Sequence, residues 1–572
     1  MPATWPWEAL IRLLARLWPF PTSPDESVDR DLAFLAAPVS ATTVVAAGSG
    51  AGLVTTTVVW VVTVVLGVGL SPAGLVAVAV GLGVVHGVHR APAALAAVER
   101  TRALCAASDL VGRLVLRARL SAAVEPAAVF AARTGSGPLA RSLDDHVRRA
   151  VGSPTSGLDT FVAAWRPWFP ALERAVDLVE TAVDAPASER PALFDRALGL
   201  CVDATQERMR RFVSDIRGPA TAVYAFGVLL PLALVGVLPA ASVAGTDLSL
   251  LQLALVYDLL LPLALVGATG WLLVRRPVTF ATPSVSLEHL DDGSQWWHPA
   301  LAGVVTAGLF WVVASTAAGP WAAPPVATGA GLGAALVVRV HPAVGVRSHA
   351  RAVESGLPDA LSLVGRRVRD GTAVEAAVAD VGSELSGETA ALFARAAGVQ
   401  RRLGTTLHEA FLGEYGVVTT LPSPRTRAAA TLLSVAVVEG RPAGDTIVSL
   451  ADQLRELSRA EEAGRRELSA VSGTLANTAA VFGPLVGGAT VSLAARIAQV
   501  ETAASVGPAF SVAGLGTVLG GYVFVMAATL TLLATGLESG FDRTRIGYRV
   551  GIALLLAATT FLVGLVAADL LV

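Results

Sequence analysis

The chain has 572 residues, of which 53% are hydrophobic and 15% are charged, and its mean hydropathy is +0.62. This composition excludes an ordinary soluble globular protein and predicts a polytopic membrane protein. The net charge of −2 gives no reason to expect nucleic acid as a partner. All 43 basic residues are arginine, so the chain has no lysine for a standard Walker A loop, and any ATP chemistry has to come from a partner.

The N-terminal stretch 1–38 is predicted to contain an amphipathic helix and a linker. One helical face is apolar and the opposite face carries arginine, which suits a helix on a membrane surface. Packing of this helix on the cytosolic part of the same protein is an equally open alternative. The apolar face comprises Trp7, Leu10, Ile11, Leu14 and Trp18.

Nine apolar stretches are long enough to cross a hydrocarbon core of about 30 Å at a helical rise of about 1.5 Å per residue. They are predicted at 42–66, 70–88, 219–240, 248–274, 299–318, 322–340, 471–495, 509–535 and 547–571. Two polar stretches, 90–218 and 341–470, separate them and are called here the first and second polar segments.

The predicted fold is therefore an all-α polytopic membrane protein with about nine transmembrane helices and two homologous cytoplasmic helical-bundle domains. Helical spacing of apolar residues in the second polar segment, such as Leu357, Leu361 and Val364, supports the bundle. The predicted divisions are 1–38 (helix and linker), 39–89 (transmembrane hairpin), 90–218 (first bundle), 219–340 (four spans), 341–470 (second bundle) and 471–572 (three spans).

Arginine placement predicts the orientation in the membrane. With nine spans and a cytosolic N-terminus, the arginine clusters fall on one side, as the positive-inside rule requires. We therefore expect a multi-pass protein of the cell membrane with its C-terminus outside the cytoplasm. The clusters are Arg90, Arg100 and Arg102; Arg275 and Arg276; Arg339, Arg347 and Arg351; and Arg543, Arg545 and Arg549.

The two polar segments are similar in sequence. The run 123–129 (AVEPAAV) is similar to 373–378 (AVEAAV), and each segment follows a predicted hairpin of spans. Gly112 is expected to match Gly365. This similarity indicates a duplication at a spacing of about 250 residues.

Glycines and prolines are predicted to mark helix ends in the two copies. Gly152 and Gly404 are expected to open related helices. Arg119 is expected near the position that Gly371 takes in the second copy, and Pro126 is expected to interrupt the second helix of the first copy. The first copy is therefore predicted to be the more divergent one.

The second polar segment resembles a known family through four motifs in a fixed order. These are LPDAL, VRDGTAVEAAV, VQRRLGTTLHEAF and VVEGRPAGDTIVSLADQLREL. They resemble the cytoplasmic helical domain of the type II secretion system F family, whose members are the membrane platforms of type IV pili, type II secretion systems, Tad pili and archaella. The added hairpin before each polar segment resembles the archaeal pilus or archaellum form, and a generic four-helix bundle is the alternative.

The resemblance implies a non-enzymatic platform without a cofactor. Its expected partners are a hexameric secretion ATPase on the cytoplasmic side, pilin-like subunits in the bilayer, and a second copy of the chain in a homodimer. The ATPase would dock on charged helix ends and turns of the second polar segment. The candidate docking residues are Arg366, Arg367, Arg369, Asp370, Arg401, Arg402, Glu439, Arg441 and Asp445.

Two polar residues, Asp258 and Asn477, are predicted to lie inside spans. A carboxylate at the membrane centre costs about 2.5 to 3.5 kcal/mol on insertion scales. We expect Asp258 to form an interhelical hydrogen bond, and Asn477 to join neighbouring helices. A secondary transporter with duplicated halves, in which Asp258 binds a proton or cation, is the alternative function.

Two further expectations concern packing. Glycine pairs at four-residue spacing, such as Gly48 with Gly52 and Gly329 with Gly333, predict close helix packing within or between protomers. The stretch 453–481 is predicted to be one unbroken helix that runs from the second polar segment into the seventh span, with Glu462 and Arg466 as an ion pair.

Overall fold

A computed structural model describes residues 8–23, 25–35, 37–65, 70–121, 123–135, 137–243, 249–276, 297–419, 421–439, 442–503, 511–540 and 542–571. In these ranges every regular element is helical, and nine helical runs are long and apolar enough to span a membrane. The all-α polytopic architecture and the number of spans are thereby confirmed for the described part of the chain.

The first half contains thirteen α-helices and two π-helical turns in its described residues. They are α1 (Glu8–Arg16), α2 (Glu26–Phe34), α3 (Ala41–Val65), α4 (Leu70–Cys105), α5 (Ala107–Ser121), α6 (Val124–Thr134), α7 (Pro138–Ala150), α8 (Gly157–Trp165), α9 (Pro170–Asp184), α10 (Arg190–Tyr224), π1 (Ala225–Leu229), α11 (Leu230–Val243), α12 (Leu250–Ala254), π2 (Leu255–Leu260) and α13 (Leu261–Arg275).

The second half contains ten α-helices and one π-helical turn within the ranges given above. They are α14 (Trp297–Ala317), α15 (Ala323–Arg369), α16 (Val374–Glu384), α17 (Glu388–Leu403), α18 (Leu407–Leu412), α19 (Pro424–Glu439), α20 (Pro442–Asn477), π3 (Thr478–Phe482), α21 (Gly483–Ala503), α22 (Val512–Ser539) and α23 (Arg543–Leu571).

Four spans continue without a break into helices of the polar segments. They are α4, α15, the run α10–π1–α11 and the run α20–π3–α21. The predicted borders at 89/90, 218/219, 340/341 and 470/471 therefore fall inside continuous helices. The expected helix over 453–481 is confirmed, and Glu462 pairs with Arg466 at 3.3 Å between Oε2 and Nη2.

Each polar segment has its own apolar core, and the spans share a third core. Leu114 and Phe161 are fully buried in the first segment, and Leu361 and Phe393 in the second. The spanning core is centred on α22. Of the most apolar 18-residue stretch of each span, 72% is buried in α22 but only 11% in α14. α14 therefore lies at the periphery of the spanning bundle.

The order of helices repeats along the chain. α6 begins at Val124 and α16 at Val374, and the same spacing separates the start of α8 at Gly157 from the start of α18 at Leu407. π1 and π3 both follow the long helix that leaves a polar segment. The first four spans thus correspond in order to the next four, and α23 is the ninth.

Two expectations about helix ends were wrong. Gly152 and Gly404 follow the last residues of α7 and α17, where their φ angles are +81° and +62°, so they end these helices. This is the left-handed region in which glycine is favoured at helix C-termini. Pro126 is the third residue of α6 and does not interrupt it, because a first-turn N–H needs no intrahelical acceptor.

The expected matches of Arg119 with Gly371 and of Gly112 with Gly365 differ by two and three residues from the spacing of about 250 residues between the helix starts. Arg119 lies inside α5, and its Nη2 atom pairs with Asp195 Oδ1 at 2.5 Å. A Cβ atom at Gly112 would lie 2.5 Å from Gln453 Nε2, so this glycine allows α5 to approach α20. A Cβ atom at Gly365 would lie 2.9 Å from the Gly444 carbonyl oxygen, at the separate contact between α15 and α20. The two glycines have different neighbours.

The N-terminal helix α1 packs on the first span. A Cβ atom at Gly50 of α3 would lie only 2.1 Å from the Leu14 carbonyl oxygen. Ile11, Leu14 and Trp18 are half-buried, whereas Leu10 is 55% exposed. α1 therefore packs on the transmembrane hairpin and not on a cytosolic bundle, which was the alternative considered from the sequence. Trp7 lies outside the described residues.

The glycine pairs predicted from their spacing allow close contacts within this chain. A Cβ atom at Gly52 would lie 3.0 Å from the Gly81 carbonyl oxygen, where α3 meets α4. A Cβ atom at Gly333 would lie 2.8 Å from the Gly551 carbonyl oxygen, where α15 meets α23. These glycines therefore fit a role in packing between spans.

Candidate functional site

The candidate docking residues lie at helix ends in the second polar segment. Arg366, Arg367 and Arg369 are in the last turn of α15, and Asp370 caps it. Arg401 and Arg402 end α17, Glu439 ends α19 and Asp445 is in the first turn of α20. Arg441 lies outside the described residues, and no contact of the Glu439 side chain is described.

Short connections bring these helix ends to one end of the bundle, called here the distal end. α15 is followed closely by α16, α17 by α18, and α19 by α20, and the successive helices contact each other. The opposite ends of α15 and α20 enter the membrane. About 33 Å of helix separates Arg369 from Arg347, at a rise of about 1.5 Å per residue.

Two arginines at the distal end form ion pairs with acidic residues of the same bundle. Arg367 Nη1 lies 2.5 Å from Asp380 Oδ2, and the same guanidinium also pairs with Glu384. Arg369 Nη1 lies 3.5 Å from Asp445 Oδ1 and joins the end of α15 to the start of α20. These arginines hold helices together, so they are poor candidates for a separate docking role.

The other charges face outward. Arg366, Asp370, Arg401 and Arg402 are all exposed. Arg401 also lines a cavity of about 530 Å³ between α16 and α17, together with Glu375. Three outward arginines against one aspartate make this surface basic, which suits ion pairs with an acidic protein surface.

Asp258 lies in π2, within the fourth span. Its Oδ1 atom would be 2.9 Å from a Cβ atom at Gly521 of α22, and the residue is partly exposed at the surface of the spanning bundle. Within the described ranges, its carboxylate forms no hydrogen bond and no ion pair. The expected interhelical hydrogen bond is therefore absent from this part of the chain.

Two buried tyrosines beside Asp258 bond backbone carbonyls of the third span. The Tyr257 hydroxyl donates to the Pro231 carbonyl at 2.7 Å, and the Tyr522 hydroxyl donates to the Gly227 carbonyl in π1. Their rings meet edge to face with centroids 5.6 Å apart. Sequence reasoning missed this pair, although a tyrosine in an apolar span signals a hydroxyl that must find a partner.

Asn477 lines a cavity of about 570 Å³ between α15, α20 and α23. Four arginines lie around its polar end: Arg347 and Arg351 of α15 and Arg545 and Arg549 of α23. Because the two helices are far apart in the sequence, the predicted clusters gave no sign that they share one cavity. We call this the membrane-edge cavity.

Glu538 is the main acceptor at the membrane-edge cavity. It accepts from Ser472 Oγ at 2.6 Å, from Arg549 Nη1 at 2.6 Å and from Arg545 Nη2 at 3.4 Å. Arg347 is 4% exposed and pairs with Asp542. Among the described residues that line the cavity, four arginines stand against the carboxylate of Glu538, so the lining has a net positive charge.

No group of side chains suited to a metal ion accompanies these features in the described ranges. There, no three His, Cys, Asp or Glu side chains are grouped so that they could hold a metal ion. His89 instead lies with Nε2 3.1 Å from the Val45 carbonyl oxygen, where α4 meets α3. The chain matches no family model, no curated protein and no solved structure.

Proposed function

We propose that this protein is a non-enzymatic membrane platform of a type IV pilus-like assembly machine, such as an archaeal pilus, an archaellum or a type II secretion system. It would lie in the cell membrane with its N-terminus in the cytosol and its C-terminus outside. The two polar segments would be homologous cytoplasmic bundles. A hexameric secretion ATPase would dock at the distal end, and pilin-like subunits would contact the spans.

The paired long helices α15 and α20 are the observation that supports this proposal. Near the distal end, Arg369 pairs with Asp445. Farther along the two helices, Asp359 Oδ1 pairs with Arg455 Nη2 at 3.0 Å, so one antiparallel register is kept along the pair. Two helices linked in this way would move together. A displacement at their distal end would therefore be transmitted to the spans.

Contacts at the membrane edge join this pair to the other spans. Ser472 of α20 donates to Glu538 at the end of α22, and Glu538 also binds Arg549 of α23. Arg276, just after the fourth span, donates from Nε to the Leu537 carbonyl at 2.6 Å. A platform that transmits force needs such connections between the paired helices α15 and α20 and several spans.

Docking can be tested by reversing the charge of exposed arginines that form no ion pair between helices of the bundle. We would compare the wild type with R366E/R401E/R402E, and with the matched control R141E/R211E/R466E, whose arginines are 76%, 74% and 77% exposed elsewhere. Each full-length protein would be purified in mild detergent and mixed with the hexameric secretion ATPase of its source organism. We expect co-purification with the wild type and the control, but not with R366E/R401E/R402E.

The docking proposal would be abandoned if the ATPase failed to bind the wild type, or bound R366E/R401E/R402E equally well. Circular dichroism and size-exclusion profiles would verify that all three proteins are folded. A charge-dependent loss confined to the distal end supports the platform, because a protein without this partner has no reason to discriminate between the two sets of arginines.

A secondary transporter is the second candidate, and one observation favours it. Asp258 lies in a span with no ion pair among the described residues, as a residue that binds a proton or cation would. Proteoliposomes containing wild-type or D258N protein would be assayed for proton-coupled solute uptake. Uptake by the wild type that D258N abolishes supports the transporter, and its absence leaves Asp258 without a transport role.

A further inference from the structure

The membrane-edge cavity has two chemically different ends. The guanidinium groups of Arg347, Arg351, Arg545 and Arg549 lie at one end. Ile552 and Leu556 line the other end, where they are 36% and 43% exposed at the surface of the spanning bundle. A cavity of about 570 Å³ that is cationic at one end and open to apolar surroundings at the other matches an anionic amphiphile.

The distance between the two ends agrees with the depth of a lipid leaflet. Arg545 and Leu556 are separated by three turns of α23, which is about 16 Å of helix. Half of a hydrocarbon core of about 30 Å is about 15 Å. A phosphate at the arginines would therefore place an acyl chain beside Leu556 inside the same leaflet.

Unused hydrogen-bond donors give an independent reason to expect a ligand. Arg347 is almost completely buried and pairs with Asp542, yet its Nε and Nη2 atoms have no hydrogen-bond partner in the described part of the chain. Arg351 Nη2 is also buried without a partner there. Unsatisfied buried donors on charged groups are costly, and phosphate oxygens are acceptors that guanidinium groups bind well.

We propose that the membrane-edge cavity binds one anionic phospholipid. Its head-group phosphate lies between the arginines of α15 and α23, and an acyl chain lies along Ile552 and Leu556. Asn477 is placed in the wall between the two ends, where its amide can bond the glycerol ester region. The bound lipid joins the sixth, seventh and ninth spans at the membrane edge, and this inference does not depend on the proposed function.

One variant tests the charge of the cavity and a second tests its volume. R351Q removes a charge whose Nη2 atom has no partner in the described residues, and it leaves the pair of Arg347 with Asp542 intact. G473L fills the cavity from α20, since a Cβ atom at Gly473 would meet no other atom within 4 Å. The matched controls are R211Q and G199L, because Arg211 is exposed and Gly199 is equally uncrowded, both on α10.

The measurement is the dissociation constant of a short-chain phosphatidylglycerol for the purified full-length protein in neutral detergent, from the shift in melting temperature. Phosphatidylcholine with the same chains and glycerol 3-phosphate are the comparison probes. We expect phosphatidylglycerol to bind best, and both R351Q and G473L to bind it roughly tenfold more weakly. The controls should bind it like the wild type.

Three results would overturn the proposal. Equal binding of phosphatidylcholine would show that the charge plays no part. Equal binding of glycerol 3-phosphate would show that the site takes a soluble phosphate and not a lipid. Unchanged phosphatidylglycerol affinity in both R351Q and G473L would show that the lipid binds elsewhere on the protein.

Discussion

Arg119 and Asp195 join the first and last helices of the first bundle, with 2.5 Å between Nη2 and Oδ1. Arg369 and Asp445 form the equivalent pair in the second bundle, and both members are displaced along the chain by the spacing that separates α6 from α16. Arg119 lies near the end of α5, which follows the spanning helix α4 after a break at Ala106, whereas Arg369 ends α15, which itself spans. Asp195 and Asp445 both lie near the start of the long helix that runs into the next span. The two ion pairs are therefore a further feature that repeats along the chain at this spacing.

Removal of the buried ion pair between Arg425 and Glu461 is expected to destabilise the second bundle. Arg425 of α19 makes two contacts with the Glu461 carboxylate of α20, which is 8% exposed. R425M would leave this carboxylate buried without its main partner, and losses of about 3 to 5 kcal/mol are typical of such changes. The melting temperature of the full-length protein in detergent measures the effect.

The nearby exposed pair of Glu462 and Arg466 is the control for that prediction. Its side chains are 67% and 77% exposed, so R466M should change the melting temperature little. Equal effects of R425M and R466M would contradict the distinction between buried and exposed pairs.

The Y522F substitution is expected to loosen the third span at π1. The Tyr522 hydroxyl donates to the Gly227 carbonyl, and the substitution would leave this acceptor without that donor. We expect a loss of about 1 kcal/mol, as for other hydrogen bonds between spans. Hydrogen exchange of the π1 amides should increase in Y522F, but not in Y415F, because Tyr415 is 74% exposed. Unchanged exchange would count against the bond.

The G444A substitution is expected to separate α15 from α20 at the distal end. Its Cβ atom would lie 2.6 Å from the Arg369 backbone nitrogen and 2.9 Å from the Gly365 carbonyl oxygen. Backbone atoms cannot move as a flexible side chain does, so we expect destabilisation by about 1 to 3 kcal/mol. The melting temperature should fall in G444A.

The control is a glycine-to-alanine substitution at a helical position that has no close neighbours. A Cβ atom at Gly398 of α17 would meet only Arg402 Nη2, at 3.6 Å. G398A should be neutral or stabilising by up to about 1 kcal/mol, because alanine favours a helix more than glycine does. A G444A protein as stable as G398A would show that the two helices are not in close contact.

Stability should depend on pH through Glu180 of α9. Burial raises the pKa of Glu180, and the charges of Asp159 and Asp177 raise it further. A carboxyl group with a raised folded-state pKa favours folding at a pH below its usual value near 4.5 and loses that contribution as the pH rises through the folded pKa. E180Q should therefore be more stable than the wild type at neutral pH.

The advantage of E180Q should shrink as the pH is lowered towards 4.5, because the wild-type carboxyl group then becomes neutral as well. Melting temperatures across this pH range measure the difference. E207Q is the control, since Glu207 is half-exposed and pairs with Arg211. A constant difference between E180Q and the wild type would contradict the raised pKa.

Local patterns were sufficient for much of the architecture. The length and hydropathy of each span depend on neighbouring residues alone, so nine spans could be counted from the sequence. The helix through 453–481 was predictable for the same reason. The positions of Arg366 and Arg401 at helix ends also follow from local signals, because a glycine comes soon after each of them.

The alignment of the first polar segment with the second was inaccurate where similar residues could be matched in more than one register. Matching Gly112 to Gly365 and Arg119 to Gly371 displaced the alignment by a few residues, since both helices are rich in small and apolar residues. The register became visible only when Arg119 was seen to pair with Asp195, as Arg369 does with Asp445.

The sequence by itself determined that the chain is helical, that it has nine apolar runs and that two polar segments lie between them. Only the tertiary structure decided which polar groups share one environment. Arg351 and Arg545 face the same cavity, and Tyr522 bonds Gly227, although the members of each pair are far apart in the sequence. The reason is that helix formation depends on residues within a few turns, whereas a cavity depends on how distant helices pack.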